Sequence, residues 1–157
     1  MEKRLKLELD MRVSVSAIIV VGGKVLLLKR SPELTNFPGE WSFPGGKVEE
    51  EDESSFAAIL RKIEEETGLD IYDEYELFTS HQLTPNYDVE NRFAVQGMVI
   101  KTHLLNHNAF LQSPVRISRE HVDFMWCPVE LVLNVLTEGV PMSRKIYKDF
   151  LKTYWEV

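Results

Sequence analysis

Acidic side chains are clustered in and just before one predicted helix. Residues Glu49 to Glu53 form one run and Glu64 to Glu66 another, so the two runs contain five and three of the 25 acidic residues. At about 100 degrees per residue, Glu65 and Glu66 lie opposite the apolar stripe of the helix, with Lys62 at the i+3 and i+4 spacings. Carboxylates on one helix face are hard oxygen ligands suited to Mg²⁺ or Mn²⁺. Acidic runs are equally typical of a solvated surface, so these residues alone leave both interpretations open.

The helix that carries this chemistry is predicted from about Glu53 to Thr67. Glu53, Ser54 and Ser55 offer capping oxygens at its start, and Gly68 is the expected left-handed terminator. Its core-facing positions follow the i, i+3, i+4, i+7 spacing and are Phe56, Ile59, Leu60, Ile63 and Thr67.

Strands are predicted on both sides of this helix, and two further helices follow near the C-terminus. The predicted strands are Val13 to Val21, Lys24 to Lys29, Trp41 to Phe43, Tyr75 to Ser80, Phe93 to Ile100 and Phe124 to Cys127, and the helices run from Pro128 to about Thr137 and from Ser143 to Tyr154. The order predicts an α/β (α+β) fold with helices packed on the faces of a mixed sheet. With 157 residues and no repeat or linker, residues 1–157 are expected to form one domain.

The overall composition of the chain limits the kinds of binding partner that are expected. The formal charge of −7 disfavours a nucleic-acid polymer, because no broad basic surface is available to displace counterions. Cys127 is the single cysteine, so it cannot form an intramolecular disulfide and is expected to be a small buried hydrophobe. The apolar run at Val13 to Val21 is too short to span a bilayer. These features predict a soluble cytoplasmic protein with no membrane partner, and they leave a homodimer open.

The residues around the helix resemble the Nudix box of nucleoside diphosphate linked hydrolases. That family has a glycine, five free residues, a glutamate, seven free residues and then Arg-Glu-apolar-x-Glu-Glu-x-Gly-apolar, arranged as a loop, a helix and a loop. The matching positions are Gly46, Glu53, Arg61, Ile63, Glu65, Glu66, Gly68 and Leu69, and the segment from Trp41 to Gly46 is similar to the family's approach to the box. The resemblance implies a Nudix-type α/β/α sandwich that cleaves a pyrophosphate bond in a nucleoside diphosphate linked to another moiety.

Two departures from the box affect what the resemblance implies. Six residues rather than five separate Gly46 from Glu53, and this insertion is expected to fall in the loop, where it leaves the helix register intact. Lys62 stands where the family places a glutamate that binds metal and in some members acts as general base. A charged ammonium has no lone pair and cannot ligate a cation. Lys62 therefore pairs with Glu65 or Glu66 and reduces the number of metal ions, reaches a substrate phosphate, or is an ordinary surface lysine.

The resemblance also implies roles for individual residues. The Gly45 carbonyl would help to bind Mg²⁺, with Mn²⁺ as an alternative, and Glu66 would be the principal carboxylate ligand with Glu65 as the second. Arg61 and Glu53 would form an orienting ion pair. A further family acid comes from a late loop. Glu120 is the candidate for it, with Asp123 as the alternative.

Substrate contacts are assigned more broadly. Arg30 and Arg92 are candidates for holding the far phosphate, and Phe37 is a candidate for stacking on a base. The four histidines share no metal-ligand spacing and are expected to be structural or solvent-facing. Nucleoside diphosphate sugars, nucleoside triphosphates, dinucleotides and coenzyme A derivatives all remain open as substrates.

Three hypotheses follow from the sequence. The first is a Mg²⁺-dependent pyrophosphohydrolase acting on a nucleotide-type small molecule. The second is a Nudix-fold binding or regulatory module that Lys62 has weakened as a catalyst. The third is a structural domain with a solvated acidic helix.

Overall fold

Strands and helices of the computed structural model are described for residues 12–35, 37–69, 80–83, 93–101, 115–136 and 143–154. The strands are β1 (Arg12–Val21), β2 (Lys24–Arg30), β3 (Trp41–Ser42), β4 (Gly45–Lys47), β5 (Ser80–Leu83), β6 (Phe93–Lys101) and β7 (His121–Pro128). The helices are α1 (Ser55–Thr67), α2 (Val132–Val135) and α3 (Ser143–Tyr154), and a 3₁₀ turn at Val129–Leu131 precedes α2.

These seven strands form one mixed sheet. Its central path runs β3-β2-β1-β6-β5, while β4 pairs with β1 and β7 pairs with β2. The β1–β6 pair is parallel and the other pairs are antiparallel. The predicted hairpin at Gly22 and Gly23 is confirmed, because Val21 lies opposite Lys24 and Val20 opposite Val25.

Two apolar clusters lie on the two faces of this sheet. Since side chains alternate along a strand, Ile18 and Val20 of β1 pack on one face with Tyr147 and Phe150 of α3. Val15, Ala17, Ile19 and Val21 of the same strand pack on the opposite face with Ile59 of α1. The continuous apolar run in β1 is therefore explained by burial on both sides. This arrangement confirms the predicted α/β/α sandwich.

The helix of the box begins and ends where the local chemistry predicts. Ser54 is the N-cap, and its hydroxyl accepts a 3.0 Å hydrogen bond from the Ala57 N–H. Gly68 follows the last turn with φ 71°, and its N–H donates to the Glu64 carbonyl. The helix starts two residues after the predicted Glu53, because the cap is the second of the three capping residues.

The predicted core stripe of α1 differs from the observed one. Ile59, Ile63 and Thr67 are buried as expected, but Ala58 and Glu66 are buried as well. Phe56 and Leu60 are only partly buried. The buried face is therefore rotated towards Glu66. The cause is that β4 lies beside α1 and covers a side of the helix that the periodicity had placed in solvent.

Other elements agree with the sequence to within a few residues or fall outside the described ranges. Helix α3 has the predicted bounds, and its Ile146, Tyr147 and Phe150 are buried. The predicted helix from Pro128 is shorter and begins as a 3₁₀ turn. The predicted strand at Tyr75 to Ser80 lies outside the described residues except for Ser80, which begins β5. Across the residues described, no helix is long and apolar enough to cross a membrane.

Candidate functional site

Glu66 is a buried carboxylate at the centre of the candidate site. Only 3% of the surface of Glu66 is exposed to solvent. Its Oε1 accepts a 3.1 Å hydrogen bond from the Gly45 N–H. Gly45 is held against β1, where it lies opposite Ser16. This carboxylate therefore joins α1 to the Gly45–Gly46 segment of β4, which is called the glycine loop below. Glu66 was expected on a solvated face with Glu65, and that expectation was wrong because β4 covers it.

Burial raises the pKa of Glu66 to about 8. The Gly45 N–H and the charges of Lys62 and Arg30 pull the pKa down, while the charge of Glu120 pushes it up. These opposing contributions show that the four side chains around the glycine loop, Lys62, Arg30, Glu120 and Glu66, share one electrostatic environment. Arg30 ends β2 and Glu120 directly precedes β7, so both are far from the helix in sequence.

The pairing of β2 with β7 explains how Arg30 and Glu120 reach this site. Arg30 lies opposite His121 in the sheet, and the Ser31 N–H donates a 2.8 Å hydrogen bond to the Glu120 carbonyl. Glu120 is thus the late-loop acid whose charge reaches Glu66, whereas Asp123 is exposed, lies opposite Lys29 and accepts from the Phe124 N–H.

His121 belongs to this environment although sequence reasoning assigned it no role. It is buried, and burial lowers the pKa of His121 to about 4, with the charge of Arg30 acting in the same direction. Its Nδ1 lies 3.4 Å from the Ser118 hydroxyl. Its position directly after Glu120 was visible in the sequence, but the burial that keeps it neutral was not.

Arg61 fastens the loop before the helix to the helix itself. Its Nε and Nη2 donate to the two carboxylate oxygens of Asp52 at 2.9 and 2.8 Å, and Nη2 also donates to the Lys47 carbonyl. Asp52 in turn accepts a 2.8 Å hydrogen bond from the Glu49 N–H. The Arg61 guanidinium and this N–H hold the pKa of Asp52 down to about 2.

The ion pair expected between Arg61 and Glu53 is therefore made by Asp52 instead. Glu53 is exposed and precedes the N-cap Ser54. The physical reason is the inserted residue. Five residues separate Gly46 from Asp52, so Asp52 has the family's spacing from the glycine while Glu53 has the spacing to the arginine. In the folded loop, the acid with the family's spacing from the glycine, Asp52, is the one that contacts Arg61.

We expect Asp52→Asn to lower the melting temperature by a few degrees, because it removes the charge that a bidentate guanidinium contacts. Glu53→Gln is the matched control at the neighbouring position and is expected to leave the melting temperature unchanged. Thermal denaturation followed by circular dichroism measures both. A larger effect from Glu53→Gln would show that Arg61 uses Glu53 in solution.

Glu65 is paired with two cations, Arg61 and Lys62. Its carboxylate is half exposed, at 52%, and lies 3.3 Å from Arg61 Nη1 and 3.7 Å from Lys62 Nζ. Within the described ranges, no group of three or more His, Cys, Asp or Glu side chains is placed to hold a metal ion. The predicted set of Glu65, Glu66 and Glu120 is thus not assembled as three converging acids.

The donors that do come together still fit a divalent cation of the magnesium type. Mg²⁺ is commonly held by one or two carboxylates, completed by waters and substrate phosphates. Glu66 and Glu120 supply two carboxylates whose charges are close enough to interact, and the Gly45 backbone lies against Glu66. A buried acid with a raised pKa has the most to gain from a cation that stabilises its ionised form.

The structure describes only one of the two remaining predicted substrate residues, Phe37 and Arg92. Phe37 has a left-handed backbone, with φ 51°, and is half-buried. Such a conformation is costly for an aromatic residue. Within the described residues, Phe37 makes no hydrogen bond or ring contact to the Glu66 group. Arg92 lies outside the described residues.

The pKa values predict a distinctive pH dependence of stability in the absence of metal. Between its ordinary value of 4.5 and the folded value of about 8, Glu66 binds a proton more strongly in the folded protein. The free energy of unfolding therefore falls as pH rises through this window. His121 acts oppositely between about 4 and 6.5, since its folded pKa is lowered and the unfolded state binds more protons there.

Among the titratable groups of the described residues, Glu66 is the one whose shifted pKa governs the window from pH 6.5 to 8. Denaturant unfolding in EDTA is expected to show a loss of about 2 kcal/mol across it, from about 1.5 pH units at 1.36 kcal/mol each. Glu66→Gln is expected to remove this loss, and Mn²⁺ is expected to oppose it in the wild type. A flat wild-type profile from pH 6.5 to 8 would mean that Glu66 is already ionised.

Comparisons with known proteins identify the family. A NUDIX domain model matches residues 10–150. The chain belongs to the Nudix family. The CTP pyrophosphohydrolase of Escherichia coli (strain K12) is 35% identical over 123 residues, covering 76% of this chain and 78% of that protein. Nudix hydrolases are pyrophosphohydrolases, and this relative of the Nudix protein is one that acts on CTP.

Solved structures show the same fold. The MutT protein from Methanosarcina mazei Go1 is 26% identical, with a TM-score of 0.64, and the match covers 93% of this Nudix chain and 96% of that one. A bifunctional NMN adenylyltransferase/ADP ribose pyrophosphatase from Francisella tularensis, solved with AMP and a Mn ion, has a TM-score of 0.68 at 20% identity. That match covers 96% of this chain and 44% of the other, and it shows the fold alone.

Proposed function

We propose that this Nudix protein is a Mg²⁺-dependent hydrolase that cleaves the pyrophosphate bond of a nucleoside diphosphate linked to another moiety. The observation that carries the proposal is the buried Glu66, tied to the Gly45 N–H and surrounded by the charges of Glu120, Arg30 and Lys62. The likeness to the Escherichia coli CTP pyrophosphohydrolase supports a nucleotide-type substrate.

The cation would be held by Glu66, Glu120 and the Gly45 carbonyl. When bound, Mg²⁺ would lower the pKa of a water ligand and neutralise phosphate oxygens. The Gly45 N–H orients Glu66, and burial keeps that carboxylate from solvent counterions. Arg61 holds Glu65 and the loop of Asp52 at fixed positions beside it. These residues build a preorganised site rather than taking part in bond cleavage.

Arg30 and Lys62 are the cations proposed to contact the anionic substrate. Arg30 and Lys62 both act on the charge of Glu66, so both lie near the place where phosphates would bind. Arg30 suits a bidentate contact with phosphate oxygens, and Lys62 suits a point-charge contact. Glu65 remains a proposed alternative metal ligand, which would require its carboxylate to leave both Arg61 and Lys62.

A nucleotide panel tests the proposed function. The panel contains CTP, ADP-ribose, nucleoside diphosphate sugars, dinucleotides and coenzyme A, each with Mg²⁺ and with Mn²⁺, and products are identified by chromatography. We expect release of a nucleoside monophosphate or its equivalent from at least one member. Absence of turnover from the whole panel with both metals would overturn the hydrolase assignment.

A second candidate is a nucleotide-binding or regulatory module, and the observation that favours it is Lys62. General-base catalysis contributes about 10²- to 10⁴-fold, and a charged lysine cannot supply it. This candidate predicts thermal stabilisation by a panel member without turnover. The hydrolase remains preferred, because a metal-bound water can act as nucleophile without that side chain.

A further inference from the structure

Lys62 is not an ordinary surface lysine. Its side chain is only 16% exposed, although it belongs to a helix face that carries exposed acids. It lies across Gly46, since a Cβ atom added to that glycine would stand 2.8 Å from Lys62 Cε and 3.2 Å from Nζ. Gly46 thus leaves the space that the end of this side chain occupies. The ammonium is placed directly against the glycine loop.

The charges around Lys62 show that this position is inside the site. Nζ lies 3.7 Å from Glu65 Oε2, and the ammonium also acts on Glu66, Asp52 and His121. Lys62 and Glu66 share a helix face at the i, i+4 spacing. Lys62 therefore places a positive charge beside carboxylates that would otherwise hold divalent ions, in addition to the charge of Arg61 beside Glu65.

We propose that Lys62 is a built-in cation of the diphosphate site, replacing one divalent ion and contacting a substrate phosphate directly. The proposal rests on the diphosphate substrate class of the proposed function. Its structural basis is that Lys62 lies against Gly46 and pairs with Glu65 together with Arg61, and that the described residues contain no group of three or more His, Cys, Asp or Glu side chains placed to hold a metal ion. An ammonium offers three donors to phosphate oxygens and stays in place at any metal concentration.

This role has two separable consequences. The site should take one divalent ion, because two carboxylates and a carbonyl remain for it. A diphosphate group should also retain measurable affinity without any metal, because Lys62 and Arg30 stay in place. A lysine with a merely structural role would not produce the second consequence, which depends on its positive charge.

Counting bound Mn²⁺ by electron paramagnetic resonance tests the first consequence. We expect about one Mn²⁺ per chain for the wild type and for Lys62→Gln, and about two for Lys62→Glu, which adds a carboxylate beside Glu65 and Glu66. Lys62→Gln separates loss of the positive charge from gain of a ligand. Two ions in the wild type, or no additional ion in Lys62→Glu, would overturn the proposal.

Calorimetry with methylenediphosphonate in EDTA tests the second consequence. We expect Lys62→Gln to weaken binding about 10-fold and Lys62→Arg to keep it within about 3-fold. Lys24→Gln removes the same charge from the exposed first residue of β2 and is expected to leave binding unchanged. Equal affinities for the wild type and Lys62→Gln would refute the direct phosphate contact.

Methylenediphosphonate cannot be hydrolysed between its phosphorus atoms, so this experiment does not depend on turnover. Lys62-dependent binding in a protein that hydrolyses no panel member would reject the hydrolase but support the role of Lys62. Turnover of a panel member together with Lys62-independent binding would do the reverse.

Discussion

Glu66→Gln is expected to lower kcat/KM for hydrolysis by about 10³-fold or more while leaving the fold intact. Glutamine has nearly the same volume as glutamate, and its carbonyl oxygen can still accept from the Gly45 N–H. It lacks the negative charge that a divalent cation needs from its principal ligand. The loss should therefore be catalytic rather than structural. Initial rates over a Mg²⁺ titration measure it on the substrate found by the panel.

Glu64→Gln provides the matched control on the same helix. Glu64 is exposed and offers its backbone carbonyl to the Gly68 N–H, so its side-chain charge has no part in the site. Its activity is expected to stay within about 2-fold of the wild type. Retention of more than about a tenth of wild-type activity by Glu66→Gln would show that another residue is the principal ligand.

Gly45→Ala is expected to destabilise the protein by about 3 kcal/mol. A Cβ atom at Gly45 would stand 2.0 Å from the Val15 carbonyl oxygen and 3.0 Å from the Ser16 Cα, and both are backbone atoms of β1. Backbone in the middle of a paired sheet cannot move aside easily. The strand β4 would have to separate from β1, and the Gly45 N–H would move away from Glu66.

Gly23→Ala is the control for the general cost of replacing a glycine. Gly23 has φ 71° but nothing lies within 4 Å of an added Cβ, so only backbone strain of about 1 kcal/mol is expected. Chemical denaturation of both variants separates close approach from strain. Equal losses of unfolding free energy in the two variants would mean that β4 can move away from β1 without cost. Gly45 would then not be needed for the close contact with β1.

Local patterns predicted much of the fold because they report local physics. The αL conformation of Gly68 and the cap at Ser54 depend on a few neighbouring atoms. The bounds of α3 follow from its apolar periodicity. The strand β4 was missed because two of its three residues are glycines with no side chain to form a pattern. Its pairing with β1 exists only once the chain has folded back.

The same distinction explains the errors at the site. Glu53 has the family's spacing to Arg61 in the sequence. Spacing along the chain, however, does not decide which acid of the folded loop contacts Arg61. Asp52 accepts from the Glu49 N–H within the loop, which turns its carboxylate towards Arg61. With one residue inserted in the loop, Asp52 rather than Glu53 contacts Arg61. Only the folded loop showed which acid contacts Arg61.

The sequence by itself determined the family, the helix that carries the acids and the unusual lysine among them. These depend on residue types and short spacings, which the chain keeps whether folded or not. The tertiary structure alone decided that Glu66 is buried, that Glu65 is paired with Arg61 and Lys62, and that Arg30, Glu120 and His121 join the site. Burial and charge proximity are produced by strands that meet from distant parts of the chain, so no local pattern contains them.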